Sequence, residues 1–511
     1  MPLAPSQLAA ILAWLQANAP AAQLSSDSRL IAPGDVFVAY PVTGADGRKH
    51  IAHAIGQGAQ AILYDADGFE WHAAWGMPHL AVYDLKNAAG QIANAYYGQP
   101  DSGMFTVGVS GTNGKTSCTQ WLGSALSRLG EPTAVIGTLG VGLFKHGIHD
   151  EFQSTGYTTP DAVQLQRRLA EMRDTGATAL AIEASSIGLH QGRLNGLHFN
   201  AGLFTNFTRD HLDYHGDEAA YEAAKTILFD WPELQHAVLN LDDDMGLRLI
   251  ERLKRNAGAA AAPSIIGYTL QGRTAEGVAV LSATDIRSSH TGTVFRLDSP
   301  YGTSQVKTQL VGFFNVGNVL GIIGVLLARG IGWVAAVEAV ETLTAVPGRM
   351  QQFGGQEAPL VVIDYAHTPD ALEKTLVALR QVAQQRGGQL WCVFGCGGDR
   401  DPGKRPQMGA IALAADHVVV TSDNPRTEDP ASIIAEIVAG MSGAQEMPQI
   451  FEDRAAAILW AIKHAAKPDV VLLAGKGHEA YQEINGRKLP FYDADHAALA
   501  LATRVTMKGL N

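Results

Sequence analysis

The run Gly108-Val109-Ser110-Gly111-Thr112-Asn113-Gly114-Lys115-Thr116-Ser117 constrains this chain more than any other stretch. Phe105-Thr106-Val107 ahead of it is apolar and reads as a strand, and Thr119 to Arg128 behind it reads as a helix. A strand, a Gly-rich turn and a helix start, in that order, build an anion site. Loop N–H groups and the positive helix end point together at phosphate oxygens. Lys115 adds a full charge for β/γ phosphates, and Thr116 offers a hydroxyl to a magnesium ion. Val109 stands where the P-loop pattern has its first glycine. The loop predicts use of a nucleoside triphosphate.

The same strand-helix alternation continues on both sides. Ala134-Ile136, Ala179-Ile182, Ala201-Phe204 and Ala237-Asn240 are short apolar runs, with helical patterns such as Ala162-Met172 and Glu218-Phe229 between them. This predicts βαβ units and a mainly parallel sheet. From Ser264 to Leu310 the pattern changes to alternating strands (Val278-Ser282, Thr293-Asp298, Gln305-Leu310), read as an antiparallel insert or edge. Two helices follow, near Val316-Leu327 and Val334-Leu343, and then a second α/β series with strands at Leu360-Asp364, Leu390-Phe394, His417-Thr421 and Val470-Leu473. The turn-rich linkers Gly98-Gly103 and Val346-Arg349 divide the chain into three α/β domains, 1–100, 101–345 and 346–511, with the phosphate loop in the middle one. Thr159-Pro160, Thr368-Pro369 and Asp429-Pro430 each read as a helix cap followed by proline at the first helical position.

Composition narrows the function. A net charge of -12 argues against a general nucleic-acid binder, since no basic field would collect phosphates. Three cysteines, Cys118, Cys392 and Cys396, give no disulfide framework, and no second pair completes a zinc site. Met1 to Pro20 lacks the basic start and apolar core of a signal peptide. Leu310 to Ala328 is broken by Asn315, Asn318 and glycines, so it reads as a buried helix, not a membrane span. A cytoplasmic location is expected.

Other segments are more polar than a structural loop requires. Glu183-Ala184-Ser185-Ser186 ends an apolar strand, and Glu183 is either a cation ligand or a solvated acid. Thr208-Arg209-Asp210-His211-Leu212-Asp213-Tyr214-His215-Gly216 is dense in histidines and acids. Magnesium prefers oxygen, but one imidazole in a mixed site is tolerable. On a helix, Tyr221, Lys225, Leu228 and Phe229 share a face, which puts Lys225 on the apolar side. Either it snorkels, or burial lowers its pKa. A neutral amine can react with carbon dioxide, and the carbamate is an extra carboxylate for metal ions. Late in the chain, loops carrying Asp364, Arg400, Asp423, Arg426, Lys476 and Glu479 all follow strands. They would place Arg400, Arg426 and Lys476 beside Asp423 and Glu479, a two-signed pocket for a zwitterion, with surface salt bridges as the alternative.

Together these motifs resemble the Mur ligases, the ATP-dependent amide-forming enzymes of peptidoglycan precursor synthesis. GTNGKT, EASS, TNFTRDHLDYHG, YEAAK, GFFNVGN, VPGRM, DYAHTPDALEK, GCGGDRD, DNPR and GKGHE stand in family order over almost the whole chain. The resemblance implies three domains, for a UDP-sugar substrate, for ATP and for the incoming amino acid. It implies ATP binding by Gly111, Thr112, Asn113, Gly114, Lys115, Thr116, Ser117, Asn315, Asn318, Arg349 and Asp364. Metal, Mg2+, would be served by Thr116, Glu183, His211 and carbamylated Lys225, with Lys115, Lys225 and His211 catalytic. UDP-N-acetylmuramoyl-L-alanyl-D-glutamate would be held by Ser28, Thr158, Thr159, Ser185, Gln191 and Arg193. The added amino acid would be held by Arg400, Asp423, Asn424, Pro425, Arg426, Gly475 and Glu479. DNPR goes, in this family, with meso-diaminopimelate, whose distal carboxylate Arg426 would take and which lysine lacks. Ser110 and Ser117 replace more usual threonines, and Pro402 stands where lysine is frequent. A monomer is expected. A lysine-adding ligase, a ligase on another acceptor such as folylpolyglutamate synthase, and a nucleotide-controlled binding module are the competing readings.

Overall fold

Apolar runs of four to six residues form the interiors of three main sheets, laid out in succession along the chain. The computed structural model describes residues 3–42, 44–256, 262–443 and 446–508. Residues 1–2 of the first expected domain and 509–511 of the third lie outside the described residues. The first sheet is parallel throughout, in the order 24–25, 36–39, 61–65, 79–82. Helices Pro5–Asn18 and Leu85–Tyr96 cover one face of it.

Among the described residues the second sheet has eleven strands. Its parallel centre runs 133–137, 179–183, 105–110, 201–204, 236–240, 264–269, 279–289. Antiparallel strands 140–145 and 148–149 extend one side, and 292–299 and 302–308 the other. The region from Ser264 is therefore no insert. Its first two strands continue the parallel sheet, and only the last two run antiparallel. Alternation alone does not distinguish the directions, because one-sided burial gives the same pattern to a parallel edge.

The helix Phe313–Ala328 lies against this sheet with almost its whole length buried. Its glycines have a packing reason. A Cβ on Gly321 would sit 2.9 Å from a Leu203 methyl, and one on Gly324 2.6 Å from a Val238 methyl. Without those side chains the helix approaches closely, and each fully buried Leu, Ile or Val contributes about 1.5–3 kcal/mol. No helix among the described residues is long and apolar enough to cross a membrane.

The third sheet is ordered 351–354, 360–364, 470–474, 390–394, 417–421, 449–451, with only the first strand antiparallel. The strand 470–474, formed late in the chain, is inserted between 360–364 and 390–394. Cys392 and Cys396 are buried, and burial pushes both thiols up to about 12, as small core side chains. Two of the three Pro-marked caps form: Thr368 and Asp429 accept N–H groups at the starts of 369–386 and 430–439. The third does not. Asp161 caps the helix Ala162–Asp174, taking the N–H groups of Val163 and Gln164, and frees Thr159 for other partners.

Candidate active site

The phosphate loop leaves the strand 105–110 between 179–183 and 201–204, where the sheet order reverses. Open α/β sheets place ligands at such a point. Its helix starts at Lys115, earlier than the apolar pattern indicates. Gly111 (φ 144°) and Gly114 (φ 90°) have backbones an L side chain rarely adopts. A Cβ on Gly111 would also lie 1.9 Å from Thr205 Oγ1. The loop is fastened to the next strand: Thr205 Oγ1 and Asn206 Nδ2 donate to the Asn113 carbonyl at 2.6 and 3.0 Å, and Asn113 N donates to Asn206 Oδ1 at 3.0 Å. Lys115 Nζ folds back on the carbonyls of Gly111 and Thr112, both at 2.9 Å.

Beside this loop a cavity of about 530 Å³ opens between the second and third sheets. Asn113, Gly114, Ser117, Asn315, Asn318, Arg349 and Asp364, all expected near nucleotide, line it. Arg349 Nη2 donates to Thr116 Oγ1 at 3.1 Å, and its guanidinium lies 4.4 Å from the Tyr365 ring centre. Asp364 accepts Met350 N–H at 2.8 Å. Burial raises its carboxyl to about 6, opposed by Arg349 and by N–H donors. Asn240, Asp242, Asp243, Tyr268, Phe314 and Lys374 line the same cavity and were missed by sequence reasoning. The signal was there: Asn240-Leu241-Asp242-Asp243-Asp244 follows a strand at the ligand-bearing end.

Lys225 is 1% exposed, so the snorkelling alternative fails. Its helix, Glu218–Thr226, ends before Leu228 and Phe229, but both of these are buried as the apolar face required. Lys225 Nζ donates to the Gly111 carbonyl at 2.8 Å and lies 4.3 Å from the Tyr221 ring centre. Burial, reinforced by Lys115, drives its amine far below the ordinary lysine range. Burial also lowers His211, which stands at φ 53° with Nε2 3.5 Å from Asp210 Oδ2. For Asp210, burial acts upward, but His211, His367 and Lys404 outweigh it and hold the carboxyl at about 2.

Glu183 is 1% exposed and is bonded by the neutral N–H and Oγ1 of Thr138 at 2.8 and 3.1 Å. Among the described residues it makes no ion pair, and no cluster of three or more His, Cys, Asp or Glu is placed to hold a metal. The donors near the loop are thus a hydroxyl, a buried carboxylate that makes no ion pair but feels the Lys115 charge, and one imidazole. This oxygen-rich, incomplete set suits magnesium, which binds through few protein ligands and completes its shell with phosphate and water.

Thr158, Thr159, Ser185, Gln191 and Arg193 form one hydrogen-bonded chain. Thr159 Oγ1 meets Ser185 Oγ at 2.8 Å, Arg193 Nη1 donates to the Thr159 carbonyl at 2.8 Å, and Arg193 Nη2 donates to Gln191 Oε1 at 2.6 Å. Thr158 joins this group through Glu183: Thr138 Oγ1 donates to Thr158 Oγ1 at 3.2 Å and bonds the Glu183 carboxylate, and Thr159 Oγ1 donates to the Glu183 carbonyl at 2.7 Å. Ser28 lies on the first sheet's side, 3.1 Å from His53 Nδ1.

In the third unit Lys476 is fully buried. Its Nζ lies 3.1 Å from Asn424 Oδ1, 3.1 Å from Glu479 Oε2 and 3.9 Å from Asp423 Oδ1. Burial and the neighbouring Asp423 raise the Glu479 carboxyl. A Cβ on Gly475 would lie 2.5 Å from Asp423 Oδ2. The expected pairing is corrected for two residues. The carboxylate at Arg426 is Glu483, 3.4 Å away, not Asp423 or Glu479. Arg400 bonds the Asp399 carbonyl and faces a separate cleft with Arg209, Asp213 and Asp401. The reason is backbone: Asp399 and Arg426 are both left-handed at φ 52°, which turns each loop away from the straight continuation of its strand. Pro425 is buried where the two loops cross, its carbonyl 2.0 Å from a Cβ placed on Gly398.

A phosphate-loop fold beside a cavity, with the buried Lys476, Asp423 and Glu479 charges in the next unit, fits the class of ligases that activate an acid and add an amine. Family models agree with that class along the chain: "Mur ligase family, catalytic domain" over residues 21–97, "Mur ligase middle domain" over 109–326, and "Mur ligase, glutamate ligase domain" over 348–477. A protein of Janthinobacterium sp. (strain Marseille), named UDP-N-acetylmuramoyl-L-alanyl-D-glutamate--2,6-diaminopimelate ligase, is 70% identical over 98% of each chain. One of the same name from Ralstonia nicotianae is 51% identical over 98% of this chain and 97% of its own. A solved structure of a protein so named is 37% identical, covers 94% of this chain and 95% of its own, and superposes with a TM-score of 0.65. The chain belongs to the Mur ligase family, and is an ATP-dependent ligase joining an acid to an amino acid.

Proposed function

We propose that this ligase adds meso-diaminopimelate to the D-glutamate of UDP-N-acetylmuramoyl-L-alanyl-D-glutamate, as a monomer in the cytoplasm. Residues 1–100 would receive the UDP-sugar, 101–345 ATP and 346–511 the amino acid. The observation that carries the reading is the 530 Å³ cavity between two sheets, with Arg349 of one side bonded to Thr116 of the other. Nucleotide placed there meets the phosphate loop through Asn113, Gly114 and Ser117.

The γ-carboxylate of D-glutamate attacks the γ-phosphate, ADP leaves and an acyl phosphate forms. The amine of the amino acid then attacks the acyl carbon, and the tetrahedral intermediate expels phosphate. Lys115 offsets charge on the transferring phosphoryl group. Arg193, Gln191 and the Thr159–Ser185 pair orient the muramoyl dipeptide. Arg426 takes the distal carboxylate of diaminopimelate, and Glu479 with Asp423 takes its ammonium. Thr116, Glu183, His211 and Lys225 would hold Mg2+, which supplies charge neutralisation of the phosphates. Lys225 serves as a carbamate: its deeply depressed amine is neutral enough to react with carbon dioxide.

Phosphate release from ATP and magnesium tests the reading, using the UDP-dipeptide with meso-diaminopimelate, L-lysine or no amino acid. Release with diaminopimelate alone, together with a tripeptide product, is the expected result. Equal release with lysine would remove DNPR as the selector, and no release would point to another acceptor.

A further inference from the structure

Two loops, 397–400 and 424–428, cross at the end of the third sheet, and the residue tying them together is Arg405, which no role above uses. Arg405 opens the helix Lys404–Ala412 and is 1% exposed. Its Nη1 reaches Glu428 Oε2 at 2.8 Å and Glu436 Oε2 at 2.9 Å. Its Nη2 reaches Glu428 Oε1 at 2.8 Å and the Gly397 carbonyl at 3.2 Å. Both oxygens of Glu428 are therefore held in one plane, and Oε1 also accepts the N–H of Asp399 at 2.5 Å. Asp399 in turn takes Thr427 Oγ1 at 2.8 Å. Arg426 lies inside this knot. Its Nη1 donates to the Gly398 carbonyl at 2.7 Å, and Gly398 N–H donates to the Asn424 carbonyl at 2.9 Å.

Asp399 and Arg426 both hold left-handed backbones that L residues avoid, and such conformations persist only where their surroundings over-determine them. The Arg405–Glu428 fork supplies that determination for both loops at once. Two parallel N–H···O bonds fix an orientation that a lysine, a point charge, would leave free.

We infer that Arg405, through Glu428, is a positioning residue for amino-acid selection, fixing the Arg426 guanidinium where the distal carboxylate of the substrate is read. The inference rests on the diaminopimelate reading above. Steady-state kinetics of Glu428→Gln and of Thr427→Val, whose side chain is at the surface, test it. Glu428→Gln puts an amide donor against the Arg405 donors. It should raise KM for meso-diaminopimelate about ten-fold and lower the diaminopimelate-to-lysine preference comparably. The kcat and the KM values for ATP and UDP-dipeptide should stay within about two-fold, because those sites lie on other elements. Thr427→Val should move the same two readouts in the same direction, by less. A parallel fall in every parameter, or wild-type selectivity in both variants, would overturn the inference. If Glu428→Gln fails to fold, Thr427→Val decides: unchanged KM and preference there overturn it. A wild-type enzyme that ignores diaminopimelate overturns both this inference and the substrate reading; a selective wild type with unaltered variants overturns this one alone.

Discussion

Lys225 shows how far a residue departs from its ordinary chemistry once its surroundings are fixed. An ammonium buried with one carbonyl as acceptor is costly, and burial together with the Lys115 charge shifts the amine toward its neutral form. Lys225→Ala is expected to lower kcat by about a hundred-fold while ATP still binds, with partial recovery on adding a short carboxylate such as acetate. Full turnover in the variant without the additive would count against the carbamate. Asp364 gives a prediction in pH. Its folded pKa is raised, so the folded state holds the proton longer than the unfolded chain, and stability contributed here falls as pH climbs from about 4 through about 6. Asp364→Asn should therefore gain thermal stability relative to wild type at pH 8 but little at pH 4, a difference approaching about 3 kcal/mol. A variant–wild-type gap that is flat with pH would refute this. Sequence motifs brought Lys225, Lys115 and Asp364 forward because each lies in a run whose spacing reports its own neighbourhood. Tyr268 escaped because it reaches the cavity from a strand whose place in the sheet no local pattern encodes, whereas Asp242 and Asp243, in the turn after the strand 236–240, were legible as an acidic run at a strand end.

At the scale of elements, the phosphate loop owes its shape to two positions that exclude a side chain. Gly111→Ala would force Thr205 Oγ1 away from the Asn113 carbonyl and loosen the loop from its neighbouring strand. Nucleotide affinity should drop by more than about ten-fold, measurable by titration calorimetry, with the sheet's overall stability reduced much less. Strands of the parallel sheets were legible in sequence because both faces are buried and each reads as an uninterrupted apolar run. The hairpins 140–149 and 481–490 were not legible. Strand 140–145 is buried through Phe144, but its two glycines and its two-residue partner 148–149 give no clear period, while 481–490 is partly to fully exposed and carries charged residues, so neither period nor apolarity marks it. The second one matters, since its Glu483 pairs with Arg426 and its backbone bonds that residue on both sides. The direction of 264–289 was misread for a related reason: which strand pairs with which is a tertiary fact.

For the whole molecule, few bonds span the seam between the second and third sheets. Arg349 meets Thr116, Asn113 Nδ2 meets Asp370 at 3.1 Å, and Arg209 lies 3.5 Å from Asp401. A ligand touching both sides therefore stabilises the assembly as a unit. ATP at one hundred times its Kd should add about 2.7 kcal/mol and raise the unfolding temperature. Arg349→Ala should shrink that rise without altering any shift produced by the amino acid alone; an undiminished ATP shift would separate Arg349 from the nucleotide. The sheet order of the third unit has a consequence during synthesis. In the finished sheet the strand 470–474 fills the space of two strand intervals, about 10 Å, between 360–364 and 390–394, so until it emerges neither of these has that ladder partner. Synthesis must therefore pass residue 474 before the gap is filled and the Gly475–Glu479 segment takes its place. A product truncated earlier would carry a complete phosphate loop beside two unpaired strand edges, open to any extended chain nearby.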